Sequence, residues 1–199
     1  MIEKKQIKLA AILRMAFTAC LALASSCVWA LDLETVLVNV AVTPPARVAF
    51  REERHNSLLK EPMVVSGYLE YLEAGRLRKV IESPFEEAFL IDADQIEIER
   101  DGEIRKLPLK KIKFLKTMLG GIEAILAGET DHLVSVFRYE LSGTVDSWSL
   151  RLEPISNTAS RHLAALSVTG DDKSVSSIRF ELRDGEWHLM ELMDVGLNP

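Results

Sequence analysis

The sequence predicts a β-rich α+β fold, in which one curved antiparallel sheet forms an unclosed β-barrel and helices cover its concave side. Apolar and polar residues alternate in two long stretches of the chain, as they do in strands that bury one face. Tight-turn residues such as Asp101-Gly102 divide these stretches into short segments. One segment with helical spacing separates the two stretches. About ten strands with a single helical insertion favour an incomplete barrel over a sandwich.

The first thirty residues are typical of a secretory signal peptide. The cationic start comprises Lys4, Lys5, Lys8 and Arg14. An apolar run from Met15 to Ala24 follows, and the segment closes on Val28-Trp29-Ala30. The run is about half as long as a bilayer span, which makes a retained anchor helix the weaker interpretation. We therefore expect cleavage after Ala30 and one domain over residues 31–199.

Cys27 leaves a second form of processing open, because a lipidated cysteine also follows small residues. The preceding Ala24-Ser25-Ser26 fits this pattern only in part, since a branched apolar residue normally stands where Ala24 does. Cys20 is the only other cysteine in the chain. Cleavage after Ala30 would leave the domain without a thiol, so its stability must come from a core rather than from disulfides.

The formal net charge is −6 for the whole chain and −9 for residues 31–199, because the first thirty residues carry four basic side chains and one acidic side chain. An acidic domain is a poor partner for nucleic acid, whose binding depends on neutralising phosphates. The 169 residues after Ala30 are enough for one domain and few for two. No repeat or linker marks an internal boundary.

A short helix and a first meander are predicted from Asp32 onwards. Leu33, Val36, Leu37 and Val40 have helical spacing, Asp32 is a candidate N-cap, and Pro44-Pro45 ends the segment. Alternation then predicts strands over Arg47–Arg54, Met63–Leu72, Arg76–Glu82, Ala88–Asp92 and Gln95–Arg100. We expect turns at Glu73–Gly75, Ser83-Pro84, Asp92–Asp94 and Asp101-Gly102, the last of type I′.

An amphipathic helix is predicted over residues 109–127. Its apolar stripe comprises Leu109, Ile112, Leu115, Met118, Leu119, Ile122, Ile125 and Leu126. Lys110, Lys111, Lys113 and Lys116 lie off this stripe. The adjacent Gly120 and Gly121 cost about 2 kcal/mol of helix stability relative to alanines. We therefore expect a bend or a split at the two glycines, with Gly128 ending the second piece.

Alternation returns after His132 and predicts a second meander. The expected strands are Leu133–Leu141, Ser147–Leu152, Leu163–Gly170, Ser174–Leu182 and Trp187–Met193. A helical turn is expected at Ser156–His162 and a tight hairpin at Asp184-Gly185. Trp148, Leu150 and Leu152 form the clearest buried set of this half of the chain.

No pattern in the sequence predicts catalysis, a metal site or a cofactor. Ser66 and Ser142 lack the flanking glycines of a hydrolase elbow. The histidines, which are His55, His132, His162 and His188, lie far apart and have no cysteine partners. The acidic pairs Asp92/Asp94 and Asp171/Asp172 fall in predicted turns, where aspartates accept hydrogen bonds from backbone amides. An exported hydrolase is therefore the least favoured function.

The amphipathic helix allows two interpretations. It can be a core helix that fills one face of the sheet, or a lid whose apolar face covers the sheet weakly enough to be displaced. Such a lid competes with an acyl chain, which gains about 0.8 kcal/mol for each CH₂ that it buries. Gly120 and Gly121 are the candidate hinge, since they would make the lid easier to deform. The periodicity leaves both interpretations open.

Motifs in both meanders occur in an order that points to a known family. They are Phe50-x-Glu52-x-Arg54, Gly67-Tyr68-Leu69-x-Tyr71, Leu77-x-Lys79, Pro84-x-x-Glu87, Leu126-Ala127-Gly128-Glu129 before Phe137, Trp148-x-Leu150-x-Leu152-x-Pro154, Gly170 and Asp184-Gly185. Together with the order of the elements, they resemble the LolA/LolB family of lipoprotein carriers, in particular a divergent LolA-like branch. The similarity extends from Asp32 to the end of the chain.

The resemblance implies an unclosed antiparallel barrel whose helices fill its mouth, and a carrier that shelters the acyl chains of lipoproteins in the periplasm. We accordingly expect the acyl chains to contact Phe50, Val65, Leu69, Leu77, Phe89, Ile91, Trp148 and Leu150. The lid would comprise Ile112, Leu115, Met118, Leu119, Ile122, Ile125 and Leu126. Members of the family close the lid with an arginine near the connection of the second and third strands, and Arg76 is a displaced candidate for it.

The resemblance also implies the partners. These are an acylated lipoprotein or another lipid as cargo, an inner-membrane donor complex and an outer-membrane acceptor, with the carrier itself a monomer. The alternative is a receptor or assembly factor tethered to the outer membrane through Cys27. The identity of the cargo stays open, because a free lipid or a lipid-linked metabolite would fit the same trough.

Overall fold

Two antiparallel meanders joined by a helical segment make up the fold. A computed structural model describes residues 31–58, 60–92 and 94–193, and the predicted signal peptide with Cys27 lies outside these ranges. The first meander contains β1 (Ala46–His55), β2 (Met63–Glu73), β3 (Arg76–Ser83), β4 (Glu87–Asp92), β5 (Gln95–Arg100) and β6 (Glu103–Pro108). The second contains β7 (Phe137–Thr144), β8 (Ser147–Pro154), β9 (Leu163–Gly170), β10 (Val175–Leu182) and β11 (Trp187–Met193). The helices are α1 (Leu33–Val40), a 3-10 turn (Leu109–Lys111), α2 (Lys113–Ala127), α3 (Thr130–Val136) and α4 (Asn157–Ser160).

The strands of the described ranges form one eleven-stranded sheet in the order β6-β5-β4-β3-β2-β1-β11-β10-β9-β8-β7. The two meanders meet where β1 pairs with β11, with Phe50 opposite Leu192. β6 and β7 are the edge strands, and within the described ranges they do not pair with each other. The predicted β-rich α+β class and the unclosed antiparallel barrel are therefore confirmed.

The predicted signals at the ends of elements are present at several positions. The Asp32 carboxylate caps α1 by accepting a hydrogen bond of 2.9 Å from the backbone N–H of Thr35. The turn between β5 and β6 has φ of +52° at Asp101 and +78° at Gly102, and a type I′ turn requires positive φ at both central residues. Gly128 ends α2 in the left-handed conformation, with φ of +71°.

The segment before β7 corrects the sequence prediction of a strand over Leu133–Leu141. Residues Thr130–Val136 form α3, and the strand begins only at Phe137. Leu133 is fully buried against α1 and α2, so packing of one helical turn outweighs the β propensity of the neighbouring valines. The predicted helical turn at Ser156–His162 is present as α4.

The core consists of two apolar clusters on one face of the sheet, which we call the inner face. The larger cluster packs α1, α2 and α3 onto β7–β10. The smaller cluster comprises Phe50, Val65, Ile81 and Met190 from β1, β2, β3 and β11, and Leu192 packs against both clusters. In the described part of the chain, no helix residue belongs to the smaller cluster. Helices therefore contribute to the larger cluster, whereas the smaller cluster is formed by strand residues.

Candidate functional site

Strand register places all eight side chains that were predicted to contact acyl chains on the inner face. Side chains that lie opposite each other in neighbouring strands point to the same face of a sheet. In the first meander, one row runs Val48–Leu69–Lys79–Phe89–Ile98 and the next runs Tyr71–Leu77–Ile91–Ile96. Phe50 and Val65 lie on the same face as these rows, as do Trp148 and Leu150 of the second meander.

Burial divides the eight side chains into two groups, while their contact with acyl chains stays a prediction. Phe50, Val65, Trp148 and Leu150 are between 0% and 3% exposed and belong to the core clusters, so they do not line an open surface. The other four, Leu69, Leu77, Phe89 and Ile91, are half-buried on β2, β3 and β4. We call these four residues the trough. Two of them, Leu69 and Phe89, pack against the smaller core cluster.

Trp148 illustrates why the buried group belongs to the core. Its indole Nε1 donates a hydrogen bond of 2.5 Å to the carbonyl oxygen of Asp171. The ring also lies so close to Gly170 that a Cβ at this glycine would come within 2.5 Å of it. Both contacts hold the ring in one position, so we assign Trp148 to the packed core.

The α2 helix is packed unevenly along its length. Its buried residues are Gly121, Ala124 and Ile125, which lie in its second half. The other predicted lid residues, Ile112, Leu115, Met118, Leu119, Ile122 and Leu126, are only half-buried. The second half of α2 is therefore anchored in the larger core cluster. The first half has no fully buried residue, although Met118 also packs against that cluster.

The first half of α2 contacts both halves of the sheet. Lys116 Nζ donates a hydrogen bond of 2.9 Å to Asp94 Oδ1 in the connection between β4 and β5. On the other side, Phe114 contacts His162, the residue before β9. The centroids of their rings are 5.1 Å apart. A depression of about 160 Å³ adjoins this second contact and is lined in part by Leu182. The start of α2 thus bridges the open side of the barrel.

The two glycines of α2 do not split the helix, so the predicted split is wrong, and the alternative of a bend stays a prediction. The helix is continuous from Lys113 to Ala127. A Cβ at Gly121 would lie 2.6 Å from Cε2 of Phe137, so this glycine allows close packing of the ring on the helix. A Cβ at Gly120 would meet only Nε2 of His132, at 3.7 Å. Close approach explains Gly121, and only Gly120 stays a candidate hinge.

Arg76 lies on the outer face of the sheet, opposite Asp92 in the ladder between β3 and β4. Its ionic contacts within the described residues are with Glu73 at 3.3 Å and Asp92 at 3.8 Å, not with α2. The expected lid-closing contact of Arg76 is therefore not made in this structure. The hydrogen bond between Lys116 and Asp94 joins α2 to the rim of the sheet instead.

Four polar side chains form a connected group on the inner face, which we call the Glu52 cluster. Lys79 Nζ donates to Glu52 Oε2 over 2.5 Å, and Arg54 Nη2 donates to the same oxygen over 3.0 Å. His188 Nδ1 lies 3.1 Å from Glu52 Oε1. The Glu52 side chain is 2% exposed, whereas those of Lys79 and Arg54 are each 18% exposed and that of His188 is 34% exposed. The carboxylate therefore lies beneath its cationic partners.

Strand register explains how the Glu52 cluster forms. Arg54 of β1 lies directly opposite His188 of β11. Lys79 of β3 reaches Glu52 of β1 across β2. The row of the sheet between these two residues crosses β2 at Gly67, which has no side chain to obstruct the contact. A Cβ at Gly67 would overlap the carbonyl oxygen of Val80, so the close approach of β2 and β3 requires glycine at this position.

The environment of Glu52 favours the charged form of its carboxyl group. Burial by itself would raise the pKa of Glu52, but the hydrogen bond with His188 and the charges of Lys79 and Arg54 outweigh it and hold the pKa well below its usual range. Burial lowers the pKa of Lys79, against the opposing effect of the Glu52 carboxylate. In the described ranges, no group of three His, Cys, Asp or Glu side chains could hold a metal ion.

The sequence reasoning missed the polar role of this cluster, although a signal was present. Glu52 and Arg54 share the parity of the apolar Phe50 in β1, and Lys79 shares the parity of Leu77 and Ile81 in β3. Charged residues at positions that share the parity of the buried apolar residues are unusual, and they indicate a buried ionic group. The partners in β3 and β11 become visible only with the strand order.

The comparisons with known proteins identify a family. The family model described as "Outer membrane lipoprotein carrier protein LolA-like" matches residues 24–192. No curated protein matches the sequence. No helix in the described part of the chain is long and apolar enough to cross a membrane.

Several solved structures are similar to this chain. A LolA superfamily protein from Nitrosomonas europaea has 10% identity and a TM-score of 0.46, with 81% of this chain and 90% of that chain covered. A DUF1329 family protein from Desulfovibrio piger has 13% identity and a TM-score of 0.46, with 83% and 92% covered. A putative outer membrane lipoprotein-sorting protein domain from Vibrio parahaemolyticus has 12% identity and a TM-score of 0.39, with 75% and 84% covered. The assignment rests on the family model, which matches most of the sequence: the chain belongs to the LolA-like family of outer membrane lipoprotein carrier proteins.

Proposed function

We propose that this protein is a periplasmic carrier that shelters the acyl chains of lipoproteins, or of other lipids, during transfer from the inner to the outer membrane. Membership of the LolA-like family supports a carrier rather than an enzyme. The observation that carries the proposal is the half-buried trough of Leu69, Leu77, Phe89 and Ile91 beside a helix with an incompletely buried apolar stripe. An acyl chain would gain about 0.8 kcal/mol for each CH₂ that it buries there.

In the proposed mechanism, the first half of α2 acts as the lid and the second half as its anchor. The anchor is the buried set Gly121, Ala124 and Ile125. The contacts that the lid would release on opening are those of Lys116 with Asp94 and of Phe114 with His162. Gly120 precedes the anchor and is the proposed hinge. The half-buried apolar residues of the lid would then contact the acyl chain in place of the sheet.

We also propose that the protein is exported through cleavage after Ala30 and works as a monomer. An inner-membrane complex would supply its cargo and an outer-membrane receptor would accept it. The tethered alternative, in which Cys27 carries a lipid anchor, makes a different prediction for the recovered protein. Intact mass distinguishes the two forms, because a start at Leu31 without added lipid excludes the anchor.

The proposal is tested by recovering the full gene product from the periplasm under detergent-free conditions and measuring bound lipid by native mass spectrometry. Uptake of a fluorescent acyl probe by the delipidated protein is measured in parallel. We expect co-purified acylated cargo and saturable uptake of the probe. Absence of both would overturn the carrier proposal. A Leu77→Arg variant, which places a charge in the trough, serves as the matched negative control.

A further inference from the structure

The Glu52 cluster exposes cations and conceals their counter-ion. Among its members, only the Glu52 side chain is almost completely covered, at 2% exposure. The ammonium-bearing side chain of Lys79 and the guanidinium-bearing side chain of Arg54 stay 18% exposed on the inner face. The carboxylate is therefore covered, whereas the side chains of its two cationic partners stay partly exposed.

The charges around the cluster leave an excess of one positive charge. Lys79 and Arg54 share the single carboxylate of Glu52. A further acid, Glu87, influences Lys79 but has its own partner in Arg100 at 3.9 Å. Within the described residues, the buried Nε of Arg54 has no hydrogen-bond partner. One cation would be enough to neutralise Glu52. A second buried cation without a full counter-charge costs free energy.

The cluster adjoins the trough. Lys79 lies between Leu69 and Phe89 in its row of the sheet. Its Nζ is 4.8 Å from the ring centroid of Phe50, so the ammonium group also lies next to the apolar floor of the inner face. An acyl chain along the trough would thus place its polar end within reach of Lys79.

From this juxtaposition we infer that the Glu52 cluster binds the oxyanion of an anionic amphiphile, a carboxylate or a phosphate, whose acyl chain lies in the trough. Lys79 and Arg54 donate charge-assisted hydrogen bonds to the oxyanion, and Glu52 orients the two cations from below. The inference rests on the proposed binding of acyl chains and narrows the cargo. A lipoprotein with a fully acylated N-terminus carries no such anion at its lipid end, because the amide, ester and thioether groups there are uncharged.

The test compares three ligands that carry the same palmitoyl chain. Palmitate carries a carboxylate, palmitoyl lysophosphatidate carries a phosphate, and monopalmitoylglycerol carries no charge. Equilibrium affinities are measured for the delipidated full gene product in the form that the host processes it. We expect at least one anionic ligand to bind about tenfold more tightly than monopalmitoylglycerol, as charge-assisted hydrogen bonds allow. The preferred anion distinguishes a carboxylate cargo from a phosphate cargo.

Two substitutions in the cluster should have opposite effects, which separates binding from stability. Lys79→Met should weaken binding of the preferred anion about tenfold and leave the affinity for monopalmitoylglycerol unchanged. Glu52→Gln should strengthen binding of the anion, because it removes the carboxylate that competes for Lys79 and Arg54. Lys79→Arg should retain binding of the anion. Lys173→Met, in the exposed connection between β9 and β10, is the matched charge control and should have no effect. Circular dichroism confirms that each variant is folded at the assay temperature.

Each outcome decides one of the two claims. Equal affinity of the unchanged protein for all three ligands would overturn the oxyanion site and leave the acyl-chain carrier standing. Loss of all three ligands to the same extent in both Lys79→Met and Glu52→Gln would also overturn it, since the cluster would then only stabilise the trough. Failure of every ligand to bind the unchanged protein would instead overturn the carrier proposal itself.

Discussion

Lys116 donates a hydrogen bond of 2.9 Å to Asp94 and thereby joins the less buried half of α2 to the connection between β4 and β5. Both side chains are exposed, so water and salt weaken their attraction. A contact of this kind holds an element in place without making its release costly. It therefore suits the rim of a lid better than the anchor of a core helix.

The first prediction concerns movement of this half of α2. In a variant with Asp94→Cys and Lys116→Cys, a short bismaleimide bridge should reduce acyl-probe uptake about tenfold or more, because the lid can no longer open. Intact mass first establishes that the recovered protein carries no other thiol. The same variant without the bridge is the control and should take up the probe as the unchanged protein does. Undiminished uptake by the bridged protein would show that α2 does not gate the trough.

The second prediction separates the two glycines of α2. Gly121→Ala should lower the free energy of unfolding by about 1–3 kcal/mol, because its Cβ would lie 2.6 Å from the Phe137 ring. Gly120→Ala should raise it by up to about 1 kcal/mol, since alanine favours the helix and no atom is nearer to the Cβ than 3.7 Å. Urea unfolding measures both. If Gly120 is the hinge, Gly120→Ala should also slow uptake of the acyl probe, and unchanged uptake would remove it as a candidate.

The third prediction compares the same substitution in the core and in the trough. Leu150→Ala should lower the free energy of unfolding by about 2–5 kcal/mol, because Leu150 is 0% exposed and its removal leaves a cavity. Leu77→Ala should cost less stability, since Leu77 is only half-buried. Leu77→Ala should nevertheless weaken binding of the acyl probe. Thermal unfolding and probe titration together decide this, and the reverse ranking of the two unfolding energies would refute the division into core and trough.

The fourth prediction concerns the dependence of stability on pH. The pKa of Glu52 is lowered in the folded protein, so its ionised form stabilises the fold at pH values above the ordinary glutamate pKa of about 4.3. This contribution should disappear progressively as the pH falls below about 4.3, where the unfolded chain binds the proton first. Glu52→Gln should therefore be less stable than the unchanged protein at neutral pH, by about 1–3 kcal/mol. The difference should shrink in acid.

Urea unfolding at a series of pH values measures this difference. Glu82→Gln, on the exposed part of β3, is the control and should follow the unchanged protein throughout. A difference between Glu52→Gln and the unchanged protein that stays constant down to strongly acidic pH would contradict the assignment of the lowered pKa to Glu52.

Local patterns were sufficient to predict most of the elements. Alternation predicted ten of the eleven strands, with β6 as the exception. Asp32 predicted the start of α1, and Gly128 predicted the end of α2. These signals act over a few residues, because a cap or a turn is formed by neighbours in the chain. The segment at Leu133 was predicted wrongly as a strand, since burial against α1 and α2 decides its conformation and neither partner is adjacent in sequence.

The candidate site was likewise predicted only in part from the sequence. Parity along each strand grouped the apolar side chains of that strand, but it did not separate the core residue Leu150 from the trough residue Leu77. That separation depends on where the helices pack, which the sequence does not state. The outer-face position of Arg76 likewise follows from the register of β3 with β4.

Composition and periodicity thus established an antiparallel β-rich domain with one amphipathic helical insertion, because each of these features is encoded by residues close together in the chain. Tertiary structure decided that Glu52 and His188, 136 residues apart, lie within 3.1 Å of each other. It also decided that Gly121 packs against Phe137 rather than breaking its helix. Contacts of this kind arise only when the pairing of β1 with β11 and the docking of α2 bring distant segments together, and no local pattern encodes that pairing.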